Sequence, residues 1–123
     1  MTPKYRIWHK AREQMFEVRR LDFVNNDCEY ADEASLTTQN WVSLNNVILM
    51  QSTGLTAANG VEIFEGDIVD AERERERGAG VVEIKVGHAP QITYKNGNDL
   101  LRFVDRFAVV LGNIHQNPEL LEK

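Results

Sequence analysis

The chain is predicted to be mainly β, a small SH3-like or irregular β-barrel with an N-terminal β-hairpin and little helix. Three observations carry that expectation. Apolar stretches are short and separated by Gly, Asn and Asp, the all-β pattern. Sustained 3.6-residue periodicity is missing from the 123 residues. Two Asn-Gly pairs, Asn59-Gly60 and Asn96-Gly97, are strong short-range hairpin signals.

The elements follow in order. "KYRIWH" and "MFEVRRLDFV" read as two strands around the polar turn "KAREQ". Phe16 and Val18 alternate with Glu17 and Arg19, as on a half-buried strand. Tyr5, Ile7, Phe16 and Val18 are the expected core of this hairpin, with Trp8 capping one end. Residues 25–46 are polar and acidic and leave three readings open: a loop, an irregular hairpin, or one short helix through "DEASL". Trp41, Val42 and Leu44 must dock in any of them. "NNVILMQ" is a buried strand by its continuous apolar run. Asn59-Gly60 is expected to place both turn centres at positive φ. Gly66, between "VEIFE" and "DIVDAE", marks a tight turn or bulge. That bend lets Ile63, Phe64, Ile68 and Val69 serve one core. "AERERER" alternates sign at every residue, so neither face of a strand there can be core. It reads as the solvated half of a hairpin turning through "GAG", or as a charged arm that pairs with another subunit. "VVEIKV" returns as its inner partner. "QITYKNGNDLL" gives another strand and the Asn96-Gly97 turn. "DLLRFVDRF" is read as strand or turn, with a short helix as the rival. A firm strand covers Ala108–Ile114. Asn117 caps a final short turn with Pro118 at its first position.

This makes one domain over residues 1–123, with an N-terminal hairpin and acidic segment at 1–45 and a barrel-like core at 46–123. The expected core of the latter is Ile63, Ile68, Val69, Val81, Ile84, Val110 and Ile114. A chain of this length buries roughly two thirds of its unfolded surface without staples. The single cysteine, Cys28, cannot form an internal disulfide, which fits a reducing compartment. "MTPKYRIWHK" has no apolar signal-peptide region. No apolar run approaches the ~18 residues of a membrane span, and Val47 to Met50 is only strand-sized. A protein of the cytoplasm is expected.

The net charge of −5 is unevenly distributed. Residues 1–20 carry Lys4, Arg6, Lys10, Arg12, Arg19 and Arg20 against Glu13 and Glu17. Residues 21–70 have no Lys or Arg, but carry Asp22, Asp27, Glu29, Asp32, Glu33, Glu62, Glu65, Asp67 and Asp70. Such a bipolar surface can pair with itself or a partner. The plainer reading folds the basic arm onto the acidic middle of the same molecule. A net-acidic domain is a poor default binder of nucleic acid, whose affinity comes from neutralised phosphates.

Candidate chemistry is sparse. His9, His88 and His115 are far apart and show no HxH or HExxH spacing, so a zinc site is not indicated. Glu65, Asp67 and Asp70 cluster and could hold a divalent ion or do acid–base work. The architectural reading is preferred: Asp67 accepts backbone N–H bonds in the turn after Gly66. Gly54 and Gly60 lack the Lys-Ser or Lys-Thr of a phosphate loop. Tyr5 and Trp8 among the N-terminal cations, together with Arg73, Arg75 and Arg77, could bind nucleic acid by stacking and charge. Catalytic, metal-ligating and cofactor-binding residues are assigned to none.

Three blocks resemble the YopX family of phage and prophage proteins: "YRIWHKAREQMFEV", "LMQSTGLTAANGVEIFEGDIV", and "GVVEI" followed by "VVLGNIHQNPELLE". Together they span almost the whole chain, and the middle block is the most specific. His9 stands where the family usually has Asp. Residues 25–46 and "ERERER" are variable ground. The resemblance implies a mostly β fold, phage or prophage origin, a bacterial cytoplasm and self-association. It transfers no catalytic residue. The expected function is a non-catalytic module acting through protein–protein contacts or self-association. The alternatives are nucleic-acid binding through the basic N-terminus and Arg73, Arg75 and Arg77, and a metal-dependent enzyme built on Glu65, Asp67 and Asp70.

Overall fold

The computed structural model describes residues 4–32, 34, 40–71, 79–85, 87–94, 97–101 and 108–121. Among these, eleven strands and two short 3-10 turns, Leu44–Asn46 and Pro118–Leu121, form two antiparallel sheets. The chain divides into two compact units, Met1–Gln51 and Ser52–Lys123.

The first unit holds β1 (Tyr5–His9), β2 (Gln14–Asp22), β3 (Asp27–Tyr30), β4 (Asn40–Ser43) and the first half of β5 (Val47–Thr56). Their hydrogen-bonded order is β4-β3-β2-β1-β5. Ile7 faces Phe16 on β2 and Leu49 on β5. Period-two alternation therefore puts these three side chains on one sheet face. There they join Cys28, Tyr30 and Val47 in a core packed by Val18, Leu21, Val42 and Leu44. Burying side chains such as Ile7 and Phe16 stabilises by about 1.5–3 kcal/mol each. Two expected positions differ. Tyr5 is only half-buried. Trp8 does not cap this core: it points to the opposite face, in register with Met15 and Ile48. The run at β5 is not buried throughout: Val47 and Met50, on opposite faces, are buried, Leu49 is half-buried and Ile48 is exposed. Residues 25–46 resolve toward the irregular hairpin, since β3 and β4 pair from Asp27↔Ser43 to Tyr30↔Asn40. The "DEASL" helix falls largely outside the described residues.

Both tight loops of this unit share one design. His9 faces Gln14, leaving the four-residue loop Lys10–Glu13, and Asp22 faces Asp27, leaving Phe23–Asn26. Each ends on a left-handed residue, Glu13 (φ 52) and Asn26 (φ 59). In each, the side chain at the strand end accepts the loop's N–H groups. Nδ1 of His9 accepts from Arg12 N at 3.2 Å. Oδ1 of Asp22 accepts from Val24 N at 3.1 Å and Asn25 N at 3.0 Å. This is the Asx-turn mechanism, and His9 performs it with a ring nitrogen.

In the second unit, the later half of β5 pairs with β6 (Glu62–Phe64). A sheet of order β10-β9-β8-β7-β11 adds β7 (Asp67–Ala71), β8 (Ala79–Glu83), β9 (Gln91–Tyr94), β10 (Gly97–Leu100) and β11 (Ala108–Asn113). Its strand order is open, and the pairings among the described residues do not close the expected barrel. Its core is Ala57, Ile63, Val69, Val82, Ile92, Tyr94, Leu101 and Ala108, with Leu55 and Val110 packed against it. Ile68 is also fully buried. The expectation fails at Val81 and Ile84, which are half-buried. On β8 the alternation places Val82, not Val81, on the core side. It fails too at Ile114, which is 36% exposed just past the end of β11.

The Asn59-Gly60 turn is a hairpin of a different type from the one expected. Gly60 has φ 84, but Asn59 is not at positive φ. Ala57 N donates to Val61 O, and Gly60 N to Ala57 O, at 2.8 and 2.9 Å. That is a turn followed by a left-handed glycine, the three-residue hairpin loop, and it needs only one residue at positive φ. Gly97 lies in β10 opposite Tyr94 rather than in a turn. Residues 72–77, with Arg73, Arg75 and Arg77, lie outside the described residues; of the stretch 98–107 left between helix and strand, residues 98–100 belong to β10 and 102–107 lie outside the described residues.

Candidate functional site

The residues of the most specific motif are engaged in shaping one corner of the second unit. Ser52 Oγ donates to Glu62 Oε2, and Thr53 Oγ1 donates to Ile63 O at 2.7 Å, tying β5 to β6. Gly66 turns the chain at φ 87, a region that costs other residues roughly 1–2 kcal/mol. Its N–H donates to Val82 O at 2.9 Å, and its carbonyl accepts from Ile114 N at 3.0 Å. The β6–β7 corner is thereby bonded to β8 on one side and to the end of β11 on the other. Asp67, 2% exposed, closes the corner: Oδ2 accepts from Phe64 N at 2.8 Å. The side chain serves as a turn acceptor, as its sequence suggested, but for the N–H that precedes Gly66.

The closing motif is arranged in the same way. Asn113 Oδ1 accepts from His115 N and Gln116 N at 3.0 and 2.9 Å. Its Nδ2 donates to Gln116 Oε1 at 2.7 Å. Asn117 Oδ1 accepts from Asn113 N at 3.3 Å, while its carbonyl accepts from Leu120 N at 3.1 Å. The side chain expected to cap the final turn thus looks back at the strand.

Of the three candidate metal carboxylates, Asp67 is buried and bonded to Phe64, Glu65 lies in the turn, and Asp70 is on β7. Among the described residues, no group of three or more His, Cys, Asp or Glu side chains could hold a metal ion. His88 is exposed, as its place near Pro90 suggested. Cys28 is fully buried, and burial, with the charge of Asp27, pushes its thiol up. A thiol held in that form is a poor nucleophile.

The basic N-terminus is partly occupied within its own unit. Arg12 Nη1 meets Asp32 Oδ2 at 2.7 Å and Tyr30 OH at 3.5 Å, and its guanidinium lies 4.8 Å from the Phe16 ring centroid. The bond from Arg12 holds the Asp32 carboxyl below its ordinary range, helped by Ala34 N. His9 sits edge-on to Phe16 and Tyr30, at 6.2 and 5.7 Å between centroids. Arg20 Nε is 3.8 Å from buried Glu29. For these two cations, the plainer expectation of pairing with the acidic middle holds.

One surface feature escaped the sequence reading. Phe23 and Val24, read as the end of a strand, form the tip of the β2–β3 hairpin and are 71% and 94% exposed. The signal was present in "LDFVNND", where Asp22 and the Asn25-Asn26 pair bracket the two apolar residues with turn formers.

A family model described as "YopX protein" matches residues 4–122. The chain belongs to the YopX family. Its fold is similar to that of protein EF1440 from Enterococcus faecalis, with a TM-score of 0.69 and 28% identity over 98% of this chain and 99% of that one. It is also similar to yopX from Bacillus subtilis, with a TM-score of 0.56 and 24% identity over 96% and 97% of the two chains. No curated protein matches. Among the described residues of this YopX-family chain, no helix is long and apolar enough to cross a membrane.

Proposed function

We propose that this YopX-family chain is a non-catalytic interaction module, encoded by a phage or prophage. It acts in the bacterial cytoplasm by contacting another protein or a second copy of itself. One contrast carries the reading. The motif residues Ser52, Thr53, Gly66, Asp67, Asn113 and Asn117 are spent on turns and hydrogen bonds. Large apolar side chains, meanwhile, stay at the surface, among them Phe23, Val24, Trp41, Val61 and Leu111. Exposed apolar side chains mark a contact site where they stand together, as Phe23 and Val24 do at one loop tip. Light scattering on a size-exclusion column at low and high salt, paired with affinity capture from bacterial cells, tests it. A monomer under every condition, with no protein retained, contradicts it.

Nucleic-acid binding through the basic N-terminus and Arg73, Arg75 and Arg77 is the second reading. The excess of cations in residues 1–20 supports it, and the engagement of Arg12 by Asp32 weakens it. A salt titration against single- and double-stranded DNA decides, because phosphate contacts make binding strongly salt-dependent.

A further inference from the structure

The tip of the β2–β3 hairpin displays apolar side chains where a turn ordinarily carries polar ones. Phe23 and Val24 are the most exposed large apolar residues of the described chain. The tip is ordered from within. Asp22 Oδ1 accepts from Val24 N and Asn25 N, Asn25 Nδ2 donates to Asp22 Oδ2 at 2.7 Å, and Asn26 takes the left-handed conformation. Leu44 N donates to Asn26 O at 2.8 Å, fastening the loop to the residue after β4. These bonds consume polar atoms of the loop and leave the two apolar side chains in water on a preset backbone. An anchor of that kind loses little conformational freedom when it docks.

The neck of the tip is acidic. Asp22 and Asp27 lie directly opposite each other across the strand pair, an arrangement that like charges disfavour. The loop N–H of Asn25 and its side-chain amide hold Asp22 below the ordinary carboxylate range, so it is ionised at neutral pH. The nearest cations on β2, Arg19 and Arg20, come before this neck, and Arg20 faces Glu29. An apolar knob with an anionic collar complements an apolar pocket with a cationic rim. It mismatches the phosphates of lipid headgroups and of nucleic acid.

We infer that the Phe23–Val24 tip is a docking element that inserts into an apolar pocket rimmed by Lys or Arg on a partner protein. This rests on the interaction-module reading and names the surface and the partner's chemistry. The test places a photo-crosslinking benzoylphenylalanine at Phe23, or at exposed Leu111 of the second unit, in the full chain in bacterial cells. Any captured protein is then purified and titrated against the unlabelled chain. The expected result is an adduct from position 23 with one other protein, cross-linked beside Lys or Arg. Its binding falls about tenfold or more in Phe23→Ser, the size of an anchor residue's effect. It also weakens in Asp27→Lys and with added salt, while the melting temperature of Phe23→Ser stays that of the wild type. Four results overturn the inference: an adduct from Leu111 alone, an adduct only with a second copy, binding indifferent to Phe23→Ser or Asp27→Lys, or Phe23-dependent binding to phosphatidylglycerol vesicles or single-stranded DNA. The first two leave the interaction module standing and remove the tip. No adduct from either position removes both.

Discussion

His9 and Asp22 do one job with different chemistry. Each sits at the end of a strand and accepts the N–H groups of a four-residue loop. An Asp at the position of His9, which the family resemblance leads one to expect, would make the same bond. His9→Leu keeps the apolar contacts with Phe16 and Tyr30 but removes the acceptor, and is expected to cost about 1 kcal/mol, the typical worth of one such bond. His9→Asp restores an acceptor and is expected to cost less at neutral pH; urea unfolding of both variants checks the order. Asp32 makes a second prediction. Arg12 lowers its folded pKa, so its contribution is fully present above the ordinary carboxylate value, about 4. It is lost as pH falls through the lower folded value. Asp22 acts in the same direction. Asp32→Asn should therefore flatten the acid limb of a stability-versus-pH curve and lower the plateau at neutral pH. An unchanged acid limb would mean that the ion pair contributes nothing. At this scale the sequence was partly legible. Asp67 announced itself as a turn acceptor beside a glycine, but nothing in the local pattern told which backbone N–H it would take.

Strands were legible where one face is buried and the other wet. The alternation of Phe16 and Val18 with charged neighbours located β2, and Ile63, Ile68 and Val69 were correctly placed inside. Where two adjacent residues are both apolar, period two alone gives no phase, and the expected Val81 gives way to Val82 in the core. Ile114 was included in β11 by hydrophobicity, yet Gly66 O takes its N–H just beyond the strand, and the Asn113–Asn117 bonds turn the chain there. Turn type was less legible still. Asn59-Gly60 marked a hairpin, but the loop length that sets its geometry depends on which residues pair across it, here Ala57 and Val61. β3 and β4 are hard to read in sequence because their partners are polar and their apolar side chains few. The β6–β7 corner makes the prediction for this scale. Gly66→Ala forces a left-handed alanine between two backbone bonds and is expected to cost about 1–2 kcal/mol. The loss should appear in hydrogen exchange as faster opening at the amides of position 66 and Ile114, which donate those two bonds, than at Ile7, whose core lies in the other unit.

For the molecule as a whole, the mainly β class followed from composition and turn spacing, and the family from three motif blocks. Barrel closure did not follow, because strand order depends on long-range pairing that local patterns do not encode. The proposed docking tip was hidden for the opposite reason: "DFV" looks like the end of a buried strand, and only the pairing of Asp22 with Asp27 exposes Phe23 and Val24. We propose that the most specific motif builds a corner and holds neither a metal nor a reaction. Thermal melting of the wild type and Asp67→Ala, each with and without millimolar Mg²⁺, Mn²⁺ or Ca²⁺, decides the matter. Asp67→Ala is expected to melt lower by an amount equivalent to about 1–3 kcal/mol, the cost of leaving the Phe64 N–H without its acceptor, with no ion shifting either curve. A wild type raised by a divalent ion, with Asp67→Ala equally stable but deaf to that ion, would contradict it.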